Sequence, residues 1–174
     1  MIGLLLASVL PATTSTAVQA APPAQDREVV ISDCRLGVDD PDAFVRATYE
    51  RYQAHPGQPT PFCERAVYSP RLRALFDAYD AWQHSHDDEV GSIDFDWWTN
   101  AQDYQIRNLS YRVIDEGPDL RWIVARFDNF DRHDEVRLRF VRQNGRWFLD
   151  DAMQGTGSGD HGWTLSALLQ NPAG

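Results

Sequence analysis

The sequence predicts an α+β domain with its helices first and antiparallel strands after them. Three observations carry this. Two proline-capped stretches with apolar residues at helical spacing fill the first half of the chain. After Gly91 the apolar period changes from 3.6 to 2. Asn144-Gly145 then marks a tight hairpin between two alternating runs. Helices segregated from strands place the helices on one face of the sheet.

The elements follow in order. Residues 1–20 carry no charge, run apolar from Ile2 to Leu10 and end in Val18-Gln19-Ala20, the pattern of a secretory signal peptide without a basic n-region. The apolar run is too short for the roughly 20 residues a bilayer span needs, so no membrane insertion is expected after cleavage before Ala21. Residues 21–39 read as a lead-in and 40–174 as a single domain of this 174-residue chain. In an oxidising compartment Cys34 and Cys63 are expected to form a disulfide, the alternative being two thiols that never meet.

Asp40-Pro41 starts a helix whose stripe is Phe44, Val45, Thr48, Tyr49 and Tyr52, stopped by His55-Pro56-Gly57. Gln58 to Cys63 is a loop. Ser69-Pro70 starts a second helix carrying Leu72, Leu75, Phe76, Tyr79 and Trp82, which dissolves into the acidic stretch His84 to Glu89. Strands follow around Leu109 to Val113, Trp122 to Phe127, Val136 to Phe140 and Arg146 to Ala152. The second is apolar on both faces and so central. A glycine-rich loop, Gly155 to Gly162, leads to a short helix at Thr164 to Gln170.

A two-residue turn at Asn144-Gly145 sets a register. Phe140 faces Leu149, Arg139 faces Asp150 and Leu138 faces Asp151. Asp150 is then expected in a surface ion pair with Arg139. Asp151 is expected on the core face, where it needs a partner or a raised pKa, unless the strand ends before it and turns it to solvent.

Charge excludes some functions. Aspartate and glutamate number 26 against 16 basic residues, a net charge of -10, which disfavours nucleic acid. All basic residues are arginine. Without lysine there is no Schiff base, no pyridoxal-phosphate anchor and no P-loop, and no cofactor is expected.

Four segments carry a resemblance. They are the Phe44 to Tyr52 helix, the Tyr68-Ser69-Pro70-Arg71-Leu72 helix start, Ile93-Asp94-Phe95-Asp96-Trp97-Trp98-Thr99-Asn100-Ala101-Gln102-Asp103, and Gly145-Arg146-Trp147-Phe148-Leu149-Asp150-Asp151. Together they resemble the bacterial envelope domain of unknown function family 3828, similar in fold to the nuclear transport factor two superfamily. That resemblance spans about Pro41 to Leu169. It implies helices packed in a strongly curved antiparallel sheet, a cone open at one end, as in cystatin-like folds. It also implies a pocket lined by helix aromatics and sheet side chains such as Tyr49, Tyr52 and Trp147. It implies no reaction.

Asp94, Asp96, Gln102 and Asp103, interleaved with Phe95, Trp97 and Trp98, admit two readings. One is a polar patch at a pocket mouth with a desolvated acid–base carboxylate. The other is a set of local caps around core tryptophans. His84-Ser85-His86-Asp87-Asp88 has metal-ligand residue types but not the spacing on a helix, so no metal is expected. Gly155 to Gly159 lacks the lysine of a phosphate cradle, and Ser158 with Asp160-His161 lacks a nucleophile elbow.

The expected function is a secreted or periplasmic, non-enzymatic binding domain. It would take a small apolar ligand or an envelope protein at Tyr49, Tyr52, Asp94, Asp96, Trp97, Trp98, Gln102, Asp103, Trp147 and Asp151. One alternative is an inhibitor or immunity protein steered by its negative charge to a basic enzyme. The other is an isomerase or dehydratase using Asp96, Asp103 or Asp151 as general base.

Overall fold

Asp40 and Ser69 start the two long helices through their side chains. In the computed structural model, which describes residues 35–56, 64–155 and 162–173, Asp40 Oδ1 accepts the Asp42 and Ala43 N–H groups at 2.9 and 3.2 Å. Pro41 opens α1 (Pro41–Ala54) behind that cap. A four-residue helix, α2 (Glu64–Val67), which no periodic signal announced, precedes α3 (Pro70–Ser85). Residues 1–34, with the signal segment and Cys34, lie outside the described residues, as do Gln58 to Cys63 and Ser158 to His161. No described helix is long and apolar enough to cross a membrane.

Four antiparallel strands follow in the spatial order β1-β2-β3-β4: β1 (Ile106–Asp115), β2 (Leu120–Asn129), β3 (Arg132–Gln143) and β4 (Arg146–Gln154). β2 lies between two neighbours, as its two-faced apolar pattern predicts. The β3–β4 turn is built as Asn144-Gly145 requires, with φ of 51° and 79°. The free edge of β4 is covered by short bridges from Val38 to Trp147, Tyr68 to Leu149 and Thr164 to Met153. Helix α4 (Leu165–Gln170) closes the described chain.

One face of the sheet is the core. Phe127, Val136, Leu138, Phe140 and Leu149 join Phe44, Val45 and Tyr49 of α1, Leu72 of α3, and Leu165 and Leu169 of α4 in one buried cluster. Aromatic edges lock α1 to it. Phe44 meets Phe140 at 6.4 Å and Tyr49 meets Phe127 at 5.4 Å between ring centroids.

The predicted hairpin register holds only as far as Phe140–Leu149. A β-bulge intervenes there: Arg139 pairs with Asp151, Leu138 pairs with Ala152, and Asp150 is the extra residue. Two expectations are thereby corrected. Asp150 keeps the expected ion pair with Arg139, but it is buried, 5% exposed, rather than at the surface. Asp151 does not oppose Leu138 in the core, since Ala152 takes that place. The bulge puts both aspartates opposite Arg139.

Candidate functional site

The turn at 96–101 organises the first polar cluster. Asp96 and Ala101 form an isolated antiparallel bridge, and Asp96 Oδ1 accepts the Trp98 N–H at 2.9 Å, an Asx turn. This local geometry drives Trp97 and Trp98 into the core, stacked at 4.6 Å. Helix α1 supplies two hydroxyls. Tyr49 donates to the Trp98 carbonyl at 2.8 Å, and Tyr52 donates to Asp96 Oδ2 at 2.7 Å. Tyr104 packs edge-on against Tyr52 at 5.1 Å.

Burial pushes the Asp96 carboxyl above the ordinary carboxylate range, against the hydrogen bonds from Tyr52 and the Trp98 N–H. The Glu64 carboxylate adds to the push. Glu64 Oε1 itself accepts the Trp98 indole N–H at 3.2 Å. Beside it lies Tyr68, 1% exposed and stacked on Phe76 at 4.9 Å. Its buried hydroxyl lies by the Glu64 carboxylate without completing a hydrogen bond of ordinary geometry. Burial first, and then the nearby Glu64 carboxylate, push that phenol well above its usual range.

The β4 bulge organises a second cluster. Asp150 accepts from Ser69 Oγ at 2.6 Å, from Arg71, and from Arg139. Asp151 accepts the Ser166 N–H at 3.0 Å and its hydroxyl at 2.6 Å, with Arg71 at 3.4 Å. Ser69 is the cap of α3, and Ser166 lies in the first turn of α4. The paired carboxylates therefore tie both helix starts to one strand.

The predicted site residues fall in separate places. Tyr49, Tyr52, Asp96, Trp97 and Trp98 meet at the turn. Asp94 and Gln102 are exposed and bonded to each other at 3.2 Å, and Asp103 is exposed. Trp147 lies at the other end of the sheet, with Arg121 5.2 Å and Arg142 5.9 Å from its ring. Asp151 belongs to the bulge. Glu64, Tyr68, Ser69, Arg71 and Ser166 carry no site signal in the sequence, because they converge from distant elements. Only the Ser69-Pro70 cap marked its neighbourhood.

His84 and His86 bond the Asp80 and Trp82 carbonyls at 2.6 and 2.9 Å, so both serve the end of α3. No family model matches the chain, and neither does a curated protein or a solved structure.

Proposed function

We propose that this chain is a secreted or periplasmic, non-enzymatic binding domain, and that its ligand meets the corner formed by Tyr52, Glu64, Tyr68 and Asp96. The observation that carries this is the Tyr68 hydroxyl, buried beside the Glu64 carboxylate without a hydrogen bond of ordinary geometry. A buried polar atom without a well-formed hydrogen bond costs up to about 1–3 kcal/mol, and a ligand group that pairs with it recovers part of that cost. The rings of Trp97 and Phe76 packed against Tyr68, with Tyr52 nearby, suit a small, mostly apolar molecule carrying one polar group. The exported setting rests on the signal pattern of residues 1–20.

The engagement of the carboxylates favours binding over acid–base chemistry. Both oxygens of Asp96 and both of Asp151 already accept hydrogen bonds within the fold. Asp103 is exposed at the surface, outside the corner. The proposal extends to the fold, a nuclear transport factor two-like cone, supported by the element order and by α1 lying against Tyr111 and Phe127.

The raised Asp96 carboxyl keeps an isomerase- or dehydratase-like reading in view. The exposed acidic run Asp87 to Glu89 does the same for an inhibitor of a basic enzyme. A thermal-shift screen of small apolar compounds with one hydrogen-bonding group tests the proposal. Hits should stabilise the native protein and lose their effect in Tyr68→Phe, which removes this poorly paired hydroxyl at little cost to folding. A screen without hits, together with recovery of a basic partner enzyme from envelope extract, would favour the inhibitor reading instead.

A further inference from the structure

The sheet face turned away from the helices has a character unlike the rest of the molecule. Its rows follow from the strand register. Arg112, Val124 and Arg137 are directly paired across β1, β2 and β3, with Arg126 one step along β2 and Trp122–Arg139 the row on the other side. Val124 is 1% exposed yet lies outside the core cluster, since its neighbours on this face are arginine stems and Trp122.

The charges on this face oppose those of the whole. Arg112, Arg126, Arg137 and Arg139 stand against Glu135 and Asp150, four guanidinium groups to two carboxylates, in a chain of net charge -10. Arg71 with Asp151, and Arg107 with Asp128 in the next row beside His133, together add two charges of each sign. The carboxylates are sunk: the side chains of Glu135 and Asp150 are 12% and 7% exposed, while that of Arg126 is 54% exposed. Arg112 is exposed and has no ion-pair partner among the described residues. Solvent therefore meets guanidinium groups over an apolar floor.

We propose that this face binds an extended acidic peptide segment of another protein. Carboxylates at alternate positions of an extended chain recur about every 6.6 Å, which is also the spacing of Arg137 and Arg139 along β3. Arg112 and Arg126 stand beside that track within one or two strand spacings of about 4.8 Å. The recorded ion pairs use the Nε of Arg137 and one Nη of Arg139, which leaves donors on both planar groups for a bidentate carboxylate contact. A second copy of the chain, placed face to face, would bring arginine against arginine, which disfavours it.

Fluorescence anisotropy with a labelled peptide of alternating glutamate and serine tests the proposal, with an alternating glutamine–serine peptide as control. The acidic peptide should bind, and more weakly as salt is raised, while the control should not. Arg112→Gln and Arg137→Gln should each weaken binding about tenfold, and Arg112→Lys by less, because it keeps the charge and loses the fork. Arg46→Gln, on α1, should leave binding unchanged. Because Arg112 holds no buried carboxylate, its variants should keep the native near-ultraviolet spectrum. Equal binding of both peptides, or binding that survives Arg112→Gln in a natively folded variant, overturns the proposal. So does a dimer in sedimentation equilibrium that Arg112→Gln dissolves, since the occupant would then be a second copy.

Discussion

Ser69 donates its hydroxyl hydrogen to Asp150 Oδ1 at 2.6 Å while its own Oγ accepts the Leu72 N–H at 3.1 Å. One hydroxyl thus caps α3 and anchors it to the β4 bulge. Ser69→Ala removes both bonds and leaves the Leu72 N–H and a buried carboxylate oxygen short of a partner. A loss of about 2 kcal/mol is expected, the upper end for a helix cap. Urea unfolding should show a lower midpoint with an unchanged slope.

Asp151 performs the matching task for α4. Its two oxygens take the Ser166 N–H and hydroxyl. Asp151→Ala should loosen the last helix before the rest of the molecule. Hydrogen exchange should speed up in Leu165–Gln170 while the amides of β2 and β3 stay protected. Uniform acceleration across all elements would contradict a local role.

Two carboxylates should shift stability in opposite directions with pH. At Asp150 burial opposes the charge, but Arg71, Ser69 and Arg139 outweigh it and hold the carboxyl below the ordinary range. Its stabilisation is whole above the unfolded value of about 3.9 and is lost as pH falls through the folded value. At Asp96 burial wins and the carboxyl is raised. Its contribution is whole below about 3.9 and is lost as pH rises through the folded value. Relative to the native chain, Asp96→Asn should gain stability as pH rises from about 4, and Asp150→Asn should lose less on acidification below it. Urea midpoints measured across this range for both variants check the two signs.

Gly91 is required by close approach. A Cβ built there would lie 2.2 Å from the Tyr79 hydroxyl, which accepts the Ile93 N–H at 3.0 Å. Gly91→Ala must displace that ring, 4% exposed in the core, and should cost about 1–3 kcal/mol. Thermal melts of Gly91→Ala alone and with Tyr79→Phe should show the smaller penalty in the double variant.

Phe130 turns the β2–β3 hairpin at φ 53° with its ring 51% exposed. A bulky residue in the left-handed region is strained, whereas asparagine tolerates it. Phe130→Asn should stabilise the domain by about 0.5 kcal/mol, read as a raised urea midpoint.

The local signals in the chain are enough for its element plan. Asp40-Pro41 and Ser69-Pro70 specify helix starts because a cap bonds N–H groups two or three residues away. Asn144-Gly145 specifies its turn because both residues accept positive φ, and the period-2 runs specify strands because side chains alternate. These causes act within a few residues, so they can be read without the fold. The bulge at Asp150 could not be read that way. It is held by Ser69, Arg71 and Ser166, which arrive from elements far along the chain, and it moves Asp151 out of register with Leu138. Likewise Asp94, Gln102 and Asp103 looked equivalent to Asp96 in sequence. Only Asp96 faces Tyr52 once α1 packs on the turn, and Glu64 and Tyr68 reach that corner only through the placement of α2. Hydrogen bonds between remote side chains depend on where whole elements pack, and packing is decided by the burial of the entire apolar surface rather than by any short stretch of sequence.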